Sequence, residues 1–213
     1  ITNSIAARYL SRRSIIDLSG IDQLRFHPRC YYRPAEDDVP GVREAWPAMI
    51  AAVTDNEGTI TGVHRTWLDP QSHDKAAVAY PRRAMGHLLG SGVRFGKADG
   101  VMVAGEGLET LLSLQQVMPS IPMIAGLSAA HLAAIQFPAA LRRLYVARDD
   151  DPAGATALST LIERCDPLGI AVIPLEPRLD DFNSDLTAYG HERLAAAIRV
   201  QLSAADAVRF LKE

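Results

Sequence analysis

Two stretches decide the fold: Val101-Met102-Val103-Ala104-Gly105-Glu106-Gly107-Leu108-Glu109-Thr110 and Leu144-Tyr145-Val146-Ala147-Arg148-Asp149-Asp150-Asp151-Pro152-Ala153-Gly154. Each opens on a four-residue apolar run, breaks at glycine or clustered acid, and passes into a helical pattern, 108–117 in the first and 153–164 in the second. Between them 123–125 has strand character and 129–136 helical character, and a further apolar run covers 170–175. Strands buried on both faces read as continuous apolar runs, so short runs alternating with helices through short connections predict a parallel sheet covered by helices on both sides. Leu194, Ala195, Ile198 and Leu202 recur at helical spacing and predict one or two closing helices over 187–211.

In a parallel α/β sheet, ligands collect just beyond the carboxyl ends of the strands. Three of the predicted ends carry acids: Glu106 between two glycines, the Asp149-Asp150-Asp151 cluster, and Asp180-Asp181-Phe182-Asn183-Ser184-Asp185. Asp149 and Asp151, two apart on an extended turn, can aim their carboxylates the same way, and the flanking glycines let the backbone at Glu106 turn sharply. Carboxylates gathered at one sheet edge repel one another unless a cation shares them, and Mg²⁺ or Mn²⁺ suits hard oxygen ligands while leaving positions open for phosphates. Such a site supports phosphoryl transfer or phosphodiester cleavage. Each piece alone has a plainer reading: Asp-Asp-Asp-Pro as a helix start, Gly-Glu-Gly as a turn, Asp181 with Asn183 as an N-cap. The joint order, each acid after its own strand, favours one shared site.

Upstream, 4–13 reads as a short helix with Asn3 as cap, 24–32 as a strand, 36–42 as a loop, and 48–53 with 59–66 as a hairpin around Asp55-Asn56-Glu57-Gly58. Short strands are predicted at 76–80 and 92–95. The expected organisation is a mixed α/β lobe over 1–98, a parallel-sheet domain over 99–190 and a helical segment over 191–213. Net charge is -3 over 213 residues, but residues 1–98 hold 13 basic against 10 acidic side chains and residues 99–213 hold 9 against 15. A basic lobe beside an acidic one suits a nucleic-acid path next to a metal site.

Several function classes are excluded. Hydrophobic residues at 48% and charged at 22% are ordinary for a globular protein. No apolar run is long enough to span a membrane and no signal peptide is visible, so a cytoplasmic protein without membrane partners is expected. Starting at Ile1, the chain reads as a fragment. Cys30 and Cys165 are far apart and lack the paired spacings of a zinc site, which predicts two reduced thiols. No Walker loop or Gly-x-Ser-x-Gly elbow is present.

The acidic segments carry a family resemblance. Gly105-Glu106-Gly107-Leu108-Glu109-Thr110 resembles the first motif of the toprim domain, Asp149-Asp150-Asp151-Pro152-Ala153-Gly154 its Asp-x-Asp-x-Ala-Gly element, and Asp181-Phe182-Asn183-Ser184-Asp185-Leu186 the Asp-x-Asn-Asp-Leu element of primases. Ser184 is one residue more than that last element has. The resemblance covers about residues 99–190 and implies Glu106, Asp149 and Asp151 as catalytic residues, with Glu106, Asp149, Asp151 and Asp181 as ligands of Mg²⁺ or Mn²⁺. Ahead of it, the hairpin segment from Asp55 to Thr66, Lys75, and the run from Arg82 to Gly96 resemble bacterial and plasmid- or phage-borne primases.

The implied function is a DNA primase catalytic core in DNA replication, a nucleotidyltransferase of bacterial or mobile-element type. It would join nucleoside triphosphates into short RNA primers on a single-stranded DNA template, with a replicative helicase as a further possible partner. Arg65, Lys75, Arg82, Arg83 and Arg94 are the candidates to grip template and nucleotide phosphates. Trp67, Tyr31 and Tyr32 fit either base stacking or packing within the sheet. The alternatives are a toprim nuclease using the same metals, or a non-catalytic single-strand-binding module of a mobile element.

Overall fold

Burial alternates along β2 (Ala45–Thr54): Met49, Ala51 and Val53 are buried in the main core, which turns one face of its sheet inward. In the computed structural model, which describes residues 1–211, β2 pairs with β1 (Leu24–Tyr31) and β3 (Ile60–Trp67), and β4 (Arg82–Gly86) completes an antiparallel sheet in the order β1-β2-β3-β4. Helix α1 (Ile5–Ser11) packs against β2 through the same core.

The second sheet has the order β5-β7-β6-β8-β9, from β5 (Val93–Phe95), β6 (Val101–Gly105), β7 (Met123–Ala125), β8 (Arg143–Ala147) and β9 (Ala171–Leu175). β6 to β9 are parallel, as expected, while β5 joins the edge antiparallel to β7. Its helices are α2 (Leu108–Val117), α3 (Ala129–Ala134), α4 (Pro152–Cys165), α5 (Phe182–Arg199) and α6 (Ala204–Phe210). Along the strands, successive residues enter different cores. Val101, Val103, Tyr145 and Ala147 pack with α2, α5, α6 and the inner face of the first sheet, whereas Met102, Ala104, Leu144 and Val146 pack with α3 and α4. The protein is therefore an α/β fold: an N-terminal sheet lobe and a largely parallel sheet with helices on both faces.

Helix α2 lies between the two sheets and is buried almost all round, Glu109, Thr110, Ser113 and Gln116 included. Its four leucines, Leu108, Leu111, Leu112 and Leu114, each contribute about 1.5–3 kcal/mol of apolar burial. Because one core runs from Tyr9 and Met49 through α2 to Ile198, the first lobe shares its main core with the second.

Several local expectations change. The cap of α1 is Ser4, whose hydroxyl accepts from Ala7 N, not Asn3, which sits at φ 59°. Residues 76–80 do not form a strand, since β4 pairs with β3 from Arg82 onward instead. Strand β5 lies before residue 98 yet belongs to the second sheet. The helix predicted over 187–211 begins earlier, at Phe182, kinks at Gly190 (φ 79°) and is followed by α6. Residues 212–213 of the predicted 191–213 segment lie outside the described residues. Trp67 and Tyr32 are packing residues: both are fully buried, edge to face at 5.1 Å, with the indole N–H donating to Cys30 O. Tyr31 is exposed. Cys30 and Cys165 are buried free thiols. Among the described residues no helix is long and apolar enough to cross a membrane.

Candidate acidic metal site

The acids predicted from the strand ends do come to one edge. Glu106 follows β6 and Asp149 follows β8, its hydrogen-bonded neighbour. The loops beyond are tied together by their backbones: Leu127 N donates to Glu106 O at 2.9 Å, and Asp150 N donates to Asp180 O at 3.2 Å. Gly105 keeps a negative φ, so its value here is close approach; a Cβ there would lie 3.2 Å from Ala147 O of the adjacent strand.

Asp151 and Asp181 each start a helix. Asp151 Oδ1 accepts from Gly154 N at 2.7 Å to cap α4, and Asp181 Oδ1 accepts from Ser184 N at 2.6 Å to cap α5. Such caps contribute about 1 kcal/mol each, so the capping reading of these residues holds, and each retains its second oxygen. Asp150 points outward and pairs with Arg148 at 3.3 Å.

Burial first, then the charges of Glu106, Asp181 and Asp151, push the Asp149 carboxyl up to about 6, against a lowering hydrogen bond from Thr110. Burial and the Asp151 charge raise Glu106 as well, with Arg82 opposing. Glu106, Asp151 and Asp181 thus all lie within electrostatic reach of Asp149. Asp149 Oδ1 is buried without a hydrogen-bond partner. Among the described residues no three His, Cys, Asp or Glu side chains already converge closely enough to hold an ion. An orphaned, buried carboxylate oxygen among mutually repelling acids is nonetheless the environment that a hard divalent cation relieves, so the donor set fits Mg²⁺ or Mn²⁺.

A cleft of about 350 Å³ lies between Glu106 and Asp149 and the first sheet, lined also by His64, Arg82, Arg83 and Glu109. Alternation along β4 sorts the predicted basic residues. Arg82 pairs across the ladder with Thr66 and faces the cleft. Its neighbour Arg83 also lines the cleft, but its guanidinium reaches onto the Tyr32 and Tyr80 rings and Arg33 O. Arg65, opposite Arg83, stacks over Trp67. Lys75 is half-buried within electrostatic reach of Glu109 and Arg82; burial lowers its pKa, Glu109 opposes this, and Arg82 and Arg13 reinforce it. Arg94 stands elsewhere, at a second cavity with Asp55, Glu57, Pro122 and Met123 near the start of β7. The structure therefore places Arg82 and Arg83 along the cleft, sets Lys75 behind it within electrostatic reach of Glu109 and Arg82, and leaves Arg65 and Arg94 out of its lining.

Two features had no sequence signal. Glu109, buried in α2, accepts a 2.5 Å hydrogen bond from Tyr9 OH of α1, a hundred residues away, and lies 3.8 Å from Arg82. His64 is buried with Nδ1 unpartnered; burial pushes its pKa down to about 4, against the Glu109 charge, so its imidazole is neutral at physiological pH.

Asp185, unassigned by the sequence, is structural. It is buried and accepts from Arg178 N at 2.8 Å and Leu179 N at 2.9 Å, which shapes the loop carrying Asp181. Asp185→Ala should strand both amides and cost about 1–3 kcal/mol for each left unsatisfied. Thermal unfolding checks this, and an unchanged Tm would contradict the role.

Residues 101–192 match the family described as Toprim domain. The chain carries a toprim domain. Residues 1–95 match the family described as Domain of unknown function (DUF7146). The toprim chain is also similar in fold to solved primases. It overlays the primase fragment of the bacteriophage T7 primase-helicase with TM-score 0.53 and 18% identity, over 77% of this chain and 64% of that one. For a DNA primase domain from Pseudomonas aeruginosa the values are 0.58 and 18%, over 94% and 72%. For the zinc-binding and RNA polymerase domains of the Aquifex aeolicus primase they are 0.59 and 16%, over 94% and 57%. The toprim chain thus spans less than two thirds of the phage and Aquifex chains. No curated protein matches it significantly in sequence.

Proposed function

We propose that the chain is the catalytic core of a DNA primase, making short RNA primers on single-stranded DNA from nucleoside triphosphates. The observation that carries this reading is the cleft, with toprim acids on one wall and the Arg82 edge of the first sheet on the other. Nucleotidyl transfer needs both: carboxylates to hold divalent cations, and guanidinium or ammonium groups to bind phosphate. Glu106, Asp149, Asp151 and Asp181 would hold Mg²⁺ or Mn²⁺, which when bound stabilises charge developing on the phosphate oxygens. Arg82 would bind the triphosphate opposite with Lys75 behind it, Arg83 at the cleft's rim would hold the template beside it, and Arg65, stacked over Trp67, would serve a more distant part of the template. Arg94 lies far enough from the acids that it would act only on template leaving the cleft. In the reaction, the 3′-hydroxyl of one nucleotide attacks the α-phosphorus of the next and pyrophosphate leaves. A helicase partner, a cytoplasmic setting, a mobile-element origin and a role in DNA replication belong to the same reading.

The test is incorporation of labelled ribonucleotides on single-stranded DNA with Mg²⁺ or Mn²⁺. Short metal-dependent products are expected. Shortening of the template without nucleotide would replace this reading with that of a nuclease, and tight single-strand binding without product under any metal would make the chain a binding module.

A further inference from the structure

Arg82 stands between two carboxylates. Its guanidinium lies 3.8 Å from Glu109 Oε2 and lines the same cleft as Glu106, on which its charge also acts. An arginine closed onto Glu106 would form a charge-assisted pair and compete directly with a cation for that carboxylate. The structure shows why it is drawn the other way. Glu109 is buried in the central helix α2, and its Oε1 is held by the Tyr9 hydroxyl, which leaves Oε2 toward Arg82. Burial pushes the Glu109 carboxyl up, yet the Tyr9 hydrogen bond, Arg82 and Lys75 together bring it below its ordinary range, so it is charged at neutral pH.

We propose that Glu109 is a positioning residue that draws Arg82 away from Glu106 and so leaves Glu106 free to join in cation binding at the acidic site. This rests on the metal-binding reading of the acids, not on primase activity. Glu109 touches neither substrate nor reacting atoms. Its effect passes through Arg82, and Tyr9 from the first lobe sets its orientation. The arrangement couples lobe packing to the acid site: the Tyr9 hydroxyl and the Arg82 guanidinium come from the first lobe, the two glutamates from the second.

The experiment is titration of Mn²⁺ alone into the full chain, followed by the loss of free-ion electron paramagnetic resonance signal, with no nucleotide or DNA. Glu109→Gln keeps the shape and the Tyr9 hydrogen bond but removes the charge, and is expected to weaken Mn²⁺ binding about three- to tenfold, the order of one partly exposed ion pair gained by Glu106. Arg82→Gln in that background should restore wild-type affinity, because the competitor is then gone; a merely structural role for Glu109 predicts no such rescue. Tyr9→Phe, which leaves every charge in place, should weaken binding in the same direction but less, and serves if Glu109→Gln does not fold. Equal affinity of wild type and Glu109→Gln, or weakened affinity that Arg82→Gln fails to rescue, overturns the proposal while leaving the acid site standing. If wild type itself binds no Mn²⁺, the acid-site reading fails and takes this one with it.

Discussion

Asp149→Asn should abolish metal-dependent primer synthesis while raising the melting temperature of the metal-free protein. Asp149 has one oxygen buried without a partner and is pushed up from 3.8 to about 6 by burial and by the charges of Glu106, Asp181 and Asp151. A carboxyl whose folded-state pKa lies above its unfolded value favours the fold fully only below the unfolded pKa. That contribution is lost as pH rises through the folded pKa, here between 3.8 and about 6. At pH 7 the ionised Asp149 therefore works against folding, and an uncharged amide of the same shape removes the repulsion. The same amide is a poor ligand for a hard cation. Loss of activity by about a hundredfold or more, roughly 3 kcal/mol of transition-state stabilisation, is expected. Thermal unfolding in chelator checks the other half: the Tm gain of Asn over Asp should be clear at pH 7 and vanish near pH 4. A variant that loses both activity and stability would mean that Asp149 supports the fold instead of a cation.

The second large effect is expected at Gly154. It sits in the first turn of α4, where alanine would ordinarily gain about 1 kcal/mol of helix propensity. A Cβ at this position, however, would fall 2.7 Å from Asp149 O, with Arg148 Cγ at 3.2 Å and Asp151 Oδ1 at 3.3 Å. The nearest atom is backbone and cannot rotate aside, so the strand-end loop must shift. Overpacking of this kind costs about 1–3 kcal/mol and outweighs the propensity gain. Because the displaced carbonyl belongs to Asp149 and the crowded oxygen to the Asp151 cap, Gly154→Ala should lower both Tm and Mn²⁺ affinity, the latter by about tenfold or more. A raised Tm with intact Mn²⁺ binding would refute this account of the Ala153-Gly154 pair.

Much of the second sheet could be read along the chain because its information is local. Four-residue apolar runs followed by helices specify parallel strands buried on both faces, and Glu106 and Asp149 come just after adjacent strands, so topology carries these two to one edge, while Asp181 is brought there by the loop between β9 and α5. Asp151 and Asp181 were readable both as caps and as site acids, and geometry allows both, since a cap occupies one oxygen of two.

The first lobe was less readable for equally physical reasons. Strand β4 is made of Arg82, Arg83, Ala84, Met85 and Gly86, which have no strong strand tendency, and it exists because β3 offers it a ladder. Which partner each arginine takes follows from a strand register that adjacent residues do not reveal: Arg82 and Arg83 both line the cleft, yet the first reaches Glu109 and the second stacks on Tyr32. Local order along the chain was thus enough to specify the α/β class and the acids near the strand ends. Only packing across the two lobes decided that His64, Arg82 and Glu109 meet beside Glu106 and Asp149, with Tyr9 bonded to Glu109, because contacts a hundred residues apart arise from how the sheets close on α2, and no local pattern encodes that closure.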